Sequence, residues 1–110
     1  MGNGQDWEAR FEAELESAMT ARQQGNEGRA RVCARRAAGI VIAEYFRRSG
    51  GQPAGPSAYD QIRALLLAPD VPQQTLEVAE HFLLRVNPAF EFPLDVDLIA
   101  EARWLKDQLV

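Results

Sequence analysis

Residues 27–48, EGRARVCARRAAGIVIAEYFRR, decide the fold. At about 100° per residue, Ala30, Ala34, Ala37, Ala38, Val41 and Tyr45 share one broad face, and Ile40, Ile42 and Phe46 carry the apolar surface well beyond it. A helix that is apolar almost all round its middle is enclosed by other elements or covered by a second subunit. The small side chains of Ala30, Ala34, Ala37, Ala38 and Gly39 let neighbouring backbones approach it closely.

Working outward, Gly25-Asn26-Glu27-Gly28 breaks the chain just before this helix and predicts a tight helical hairpin. The partner helix runs from about Asp6 to Gln24, with Trp7, Phe11, Leu15, Ala18 and Met19 along one stripe and Glu8, Arg10, Glu12, Glu14 and Glu16 on its other side. Residues 1–5 are expected to be disordered. Downstream, residues 50–56 carry three Gly and two Pro and form a loop, and Ser57 with Asp60 makes a capping box for a third helix through about Leu67. Ile62, Leu65 and Leu66 give that helix its buried side. Pro69 and Pro72 close it. A fourth helix is expected over Gln73–Val86, with Leu76, Ala79, Phe82, Leu83 and Val86 at core spacing, ended by Asn87-Pro88. Residues 89–94 form a short extended crossing in which Phe90 and Phe92 cover an edge of the bundle. Asp95 is the expected N-cap of a last helix carrying Leu98, Ile99, Ala102, Leu105 and Leu109, with Trp104 at its margin. The expectation is one all-α domain over residues 1–110, a compact bundle of about five helices.

At 110 residues the chain makes one core, so any function sits on that core or at a subunit contact. The net charge of -4 disfavours a broad nucleic-acid surface. The charge is uneven, however: residues 1–50 hold eight Arg against seven acids, and residues 51–110 four basic residues against nine acids. One cysteine makes no intramolecular disulfide. The start has neither the basic region nor the apolar run of a signal peptide, and Ala37–Ala43, the longest nearly apolar run, falls far short of the roughly 20 residues that span a bilayer. Cytoplasmic residence without membrane attachment is the expectation.

Few groups here carry chemistry. Structural zinc normally takes four Cys or His ligands, and the chain has only Cys33 and His81. No metal, cofactor or catalytic residue is expected, and Glu77, Glu80 and His81 read as solvated helix residues. Cys33, between Val32 and Ala34, reads as a small packed hydrophobe. The glycines lack the flanking elements of a phosphate loop. The arginines are the most informative polar group: Arg29, Arg36 and Arg47 project in nearly one direction, with Arg31 and Arg35 about a third of a turn away. This strip is suited to phosphate or carboxylate. The alternative is that it pairs with Glu12, Glu16 or Glu101 and orients the bundle. Ile42 and Phe46, on the excess apolar face, are the expected contacts of a homodimer.

The run from Glu27 to Phe46 resembles the long helix of HEPN-type domains, where a glycine-containing turn leads from an amphipathic helix into an Ala/Arg-rich one. Residues 8–48 match the leading helical pair and Asp95 to Leu109 the closing helix. The resemblance implies a helical domain that often dimerises, with members acting as ribonucleases, toxin components, or noncatalytic nucleotide-binding or scaffolding modules. Nuclease members carry an Arg followed within a few positions by a His. Neither Arg35 nor Arg36 has such a His downstream, and Arg85 follows His81, so no catalytic pair carries over. The resulting expectation is a noncatalytic, homodimeric bundle that binds a macromolecular partner or a small anionic ligand such as a nucleotide. The competing reading is an RNA-cleaving or nucleotide-modifying enzyme that brings Arg36 and His81 together by folding.

Overall fold

The turn between the first two helices sets the geometry of everything that follows. The computed structural model of the protein describes residues 3–52, 54–87, 89 and 91–110. In it α1 spans Asn3–Gln23 and α2 spans Glu27–Arg48. Gly25 takes φ 79°, a left-handed conformation that costs glycine little, and the Asn26 amide returns to the Ala21 carbonyl at 2.8 Å. The Asn26 side chain then caps α2 by accepting from the Arg29 amide. The chain reverses within three residues, and α1 lies along α2.

The remaining helices are α3 (Ala58–Leu66), α4 (Gln73–His81) and α5 (Leu98–Leu109). The protein is an all-α bundle of five helices with a short linking segment before the last. α2 is its axis and packs against α1, α3 and α5, while α4 packs on α3 and α5. Its buried Ala30, Ala34, Ala37, Ala38, Val41 and Ile42 meet Phe11 and Leu15 of α1, Ile62 and Leu65 of α3, and Leu98, Ala102 and Leu105 of α5 in one core. The middle of α2 is surrounded by its own subunit except along the stripe of Val32, Arg36, Ile40 and Ala43, which is only partly covered. Gly39 marks the closest approach: a Cβ there would lie 2.8 Å from the Ala58 Cα, so α3 begins against the bare backbone of α2.

Several boundaries differ from expectation for local reasons. The first helix starts at Asn3, and its buried stripe runs through Ala18 to Ala21, leaving Met19 on the exposed side. Ser57 and Asp60 form the expected capping box. α4 stops at His81, five residues before the expected Val86. The Phe82 carbonyl, which a continuing helix would pair with the Val86 amide, accepts instead from Arg35 Nε at 2.8 Å. Beyond it Asn87 folds on itself, its side-chain oxygen taking the amides of Ala89 and Glu91. Val86 is consequently exposed, whereas Phe82 is fully buried. The N-cap of α5 is Asp97, not Asp95: it accepts from Ile99 and Ala100 and pairs with Arg22 at 3.1 Å, tying the end of α1 to the start of α5. Phe92 packs against the core beneath the Arg31 guanidinium, and the expected role of Phe90 lies outside the described residues.

One buried charge links the bundle to pH. Glu44 is 5% exposed and accepts hydrogen bonds from Arg47 and Arg48, which hold its carboxyl down to about 2, against the opposing effect of burial. The lowered value stabilises the fold fully above the ordinary carboxyl range near 4.5, and this contribution is lost as pH falls from there toward about 2. The urea midpoint of the native protein is therefore expected to fall across that window. Glu44→Gln should lower the midpoint at pH 7 and flatten its dependence below pH 4.5; an unchanged acid slope would remove Glu44 from the account.

Candidate functional site

A cleft of about 660 Å³ opens between α1, α2 and the loop leading into α3. Its floor is a stripe of α2, from Val32 through Arg36, Gly39 and Ile40 to Ala43. Arg10 and Glu14 of α1 form one wall, and Gly55 to Tyr59 form the other. The second wall is held by Gln61, a buried amide that accepts from the Ala54 amide and donates to the Gly55 carbonyl. A buried amide must find partners, and Gln61 finds them in the loop, fixing residues 54–55 onto α3.

Tyr59 is the centre of charge in this region. The guanidinium carbons of Arg35, Arg63 and Arg85 lie 4.7, 5.4 and 5.8 Å from its ring centroid. Each is within cation–π range. None of the three forms an ion pair among the described residues, whereas Arg22, Arg47, Arg48, Arg103 and Lys106 all do. Burial holds the Arg35 guanidinium below its ordinary value, and the nearby Arg85 charge pushes the same way against the opposing Tyr59. Among the described residues Arg10 and Arg36 also form no ion pair. Five of the chain's uncompensated arginines thus gather in or beside one cleft of a protein whose net charge is -4. At the α3 N-terminus the Asp60 carboxylate accepts from the Ser57 amide and the Ser57 hydroxyl accepts from the Asp60 amide, so the capping box places a carboxylate beside the helix end.

The three arginines expected to form one strip are divided. Arg36 is exposed in the main cleft. Arg29 lies in a separate shallow cleft beside Glu16, Ser17 and Thr20 of α1. Arg47 lies outside the main cleft and is paired through Nε and Nη2 with Glu44. Of the carboxylates named as alternative partners, Glu12, Glu16 or Glu101, Glu12 pairs with Arg103 and Glu101 with His81, and among the described residues none pairs with the strip. Ile42 requires a correction of another kind: it is fully buried within the subunit, so it offers nothing to a second copy, while Phe46 is half-buried against the same core. At Ile42 the apolar surface of α2 is covered by the subunit's own helices, so that residue gives no reason for subunits to pair.

His81 is partly buried and engaged by a neighbouring helix. Its Nδ1 lies 2.8 Å from Glu101 Oε1, and it faces a third cleft with Glu77 and Glu80. Arg36 and His81 therefore line different clefts. Among the described residues, no three His, Cys, Asp or Glu side chains gather as a metal would require. Cys33 is free and buried. Among the described residues, no helix is long and apolar enough to cross a membrane.

Sequence reasoning missed Tyr59, Arg63, Arg85 and Gln61. Tyr59 and Arg63 stand four apart on one helix and share a face, a legible pair. Arg85 reaches them only because α4 ends early. In comparisons with known proteins, no family model, no curated protein and no solved structure matches the chain.

Proposed function

We propose that the protein is a noncatalytic binding module that captures a small anionic ligand in the cleft between α1, α2 and the start of α3. The observation that carries this reading is the grouping of Arg35, Arg63 and Arg85 around Tyr59 with no ion pair to any of the three among the described residues, next to Arg10 and Arg36. Like charges gathered about one ring repel one another, more strongly near the protein surface than in bulk water. An anion entering the cleft offsets that repulsion. The half-buried Arg35 gains most, being the least hydrated.

The noncatalytic part rests on the separation of Arg36 from His81 and on the carboxylate that already holds His81. The HEPN-type resemblance, read together with the missing Arg-to-His order, points to the same kind of member. Calorimetric titration with inorganic phosphate tests the proposal. Arg36, exposed and without a hydrogen-bond partner among the described residues, is the variant least coupled to folding. Arg36→Gln should weaken binding about tenfold, the scale of one charge-assisted hydrogen bond, and added salt should weaken it further. Binding that is indifferent to Arg36 would sink the proposal.

A further inference from the structure

We infer that the ligand of this cleft is a phosphate monoester with an apolar body, its head held by Arg35 and Arg36 and its body laid along Val32, Ile40 and Ala43. The inference rests on the anion-binding reading and adds the chemistry of both ends of the ligand.

The head follows from the balance of charge. Arg10, Arg35 and Arg36 line the cleft against a single carboxylate, Glu14, leaving the lining positive by two. A carboxylate ligand would neutralise half of that excess. A phosphate monoester carries about -1.5 to -2 at pH 7 and matches it, while longer phosphate chains exceed it. Arg35 is also oriented for this role. Its Nε is taken by the Phe82 carbonyl at 2.8 Å, which fixes the guanidinium plane and leaves both terminal nitrogens without a partner among the described residues. Two parallel N–H donors on a fixed plane are the arrangement that grips two phosphate oxygens. The ring of Tyr59 backs this guanidinium, with Arg63 and Arg85 on the same ring reinforcing the positive field.

The body follows from what lies beside the head. Val32, Ile40 and Ala43 are only half-buried, and they face Pro56 and Ala58 across the cleft. The floor from residue 32 to 43 is about 16 Å long at the rise of an α-helix. The cleft volume of about 660 Å³ lies within the range of small-molecule sites and leaves room beyond a phosphate group. Water over the half-buried aliphatic floor is displaced favourably by an apolar group. A bare phosphate leaves that surface wet.

The test is calorimetric titration of the full chain with 1-naphthyl phosphate, inorganic phosphate and 1-naphthoate at pH 7.5, repeated on Arg36→Gln and Ile40→Ser. Val32→Thr, which keeps the side-chain shape, reads the same surface through a second variant. 1-Naphthyl phosphate should bind at least about tenfold more tightly than either other probe, as burying a few methylene equivalents allows. Ile40→Ser and Val32→Thr should each reduce that preference while leaving inorganic phosphate within about twofold, and Arg36→Gln should weaken both phosphates. Equal affinity for inorganic phosphate or for 1-naphthoate would overturn the inference and leave an anion site standing. Absence of Arg36-dependent binding by all three probes would overturn the anion-binding reading itself.

Discussion

Replacing Ile42 with Glu is expected to unfold the protein, not to separate subunits while the fold survives. Ile42 has no exposed surface and lies in the core that α2 shares with its neighbours. A carboxylate there has no designed partner, since the nearby buried Glu44 is itself an acid already matched by Arg47 and Arg48. Burying an unpaired charge costs several kcal/mol, here about 4 kcal/mol or more, a large share of the stability of a small domain. Loss of the far-ultraviolet helical signal at room temperature, or a collapse of the urea midpoint, is the expected readout. A folded Ile42→Glu protein with near-native stability would show that α2 is not enclosed as described.

The second large effect concerns Gly39, where the sign of a familiar rule reverses. Glycine inside a helix is worse than alanine by about 1 kcal/mol, so Gly→Ala normally stabilises. At Gly39 the added methyl would stand 2.8 Å from both the Cα and the Cβ of Ala58, and backbone atoms cannot swing aside as a long side chain does. α3 must move away from α2. Gly39→Ala should therefore destabilise the protein by about 1–3 kcal/mol, the usual cost of overpacking. It should also weaken phosphate binding, because Ala58 and Tyr59 form the cleft wall that would be displaced. A variant that gains stability would contradict the close α2–α3 contact.

The helices were legible wherever local chemistry and periodicity agreed. α2 combines an Asn cap, an apolar interior and a glycine-bearing exit, and its observed limits are the expected ones. The Ser57–Asp60 box fixed the start of α3 in the same way. Reading failed where a distant side chain intervened. Periodicity alone carries α4 to Val86, whereas the amides of residues 82–84 turn to carbonyls three residues back and Arg35, 47 positions earlier, takes the Phe82 carbonyl. Asp95 and Asp97 are equally good caps by type. The presence of Arg22 beside Asp97 separates them, and that is a tertiary fact.

The site was half legible for the same reason. The sequence identified an arginine-rich helix, and Arg36 stands in the cleft. Angular position could not reveal that Arg47 is paired to its own helix neighbour or that Arg29 opens onto another surface. Nor could it assemble Arg35, Arg63 and Arg85 on Tyr59, because those four residues come from α2, α3 and the turn after α4. The apolar breadth of α2 was read correctly, but its cause was open: enclosure by one chain or cover by a second. The buried Ile42 identifies enclosure.

The most direct measurement is a titration of uniformly ¹⁵N-labelled protein with inorganic phosphate, followed through its backbone amide resonances. If the cleft is the anion site, the saturable shifts fall on Arg35, Arg36, Gly39, Gly55 and Ser57 to Tyr59, which line it, and Arg36→Gln suppresses them. Saturable shifts confined to Arg29 and its neighbours, or no saturable shift at all, would contradict the account.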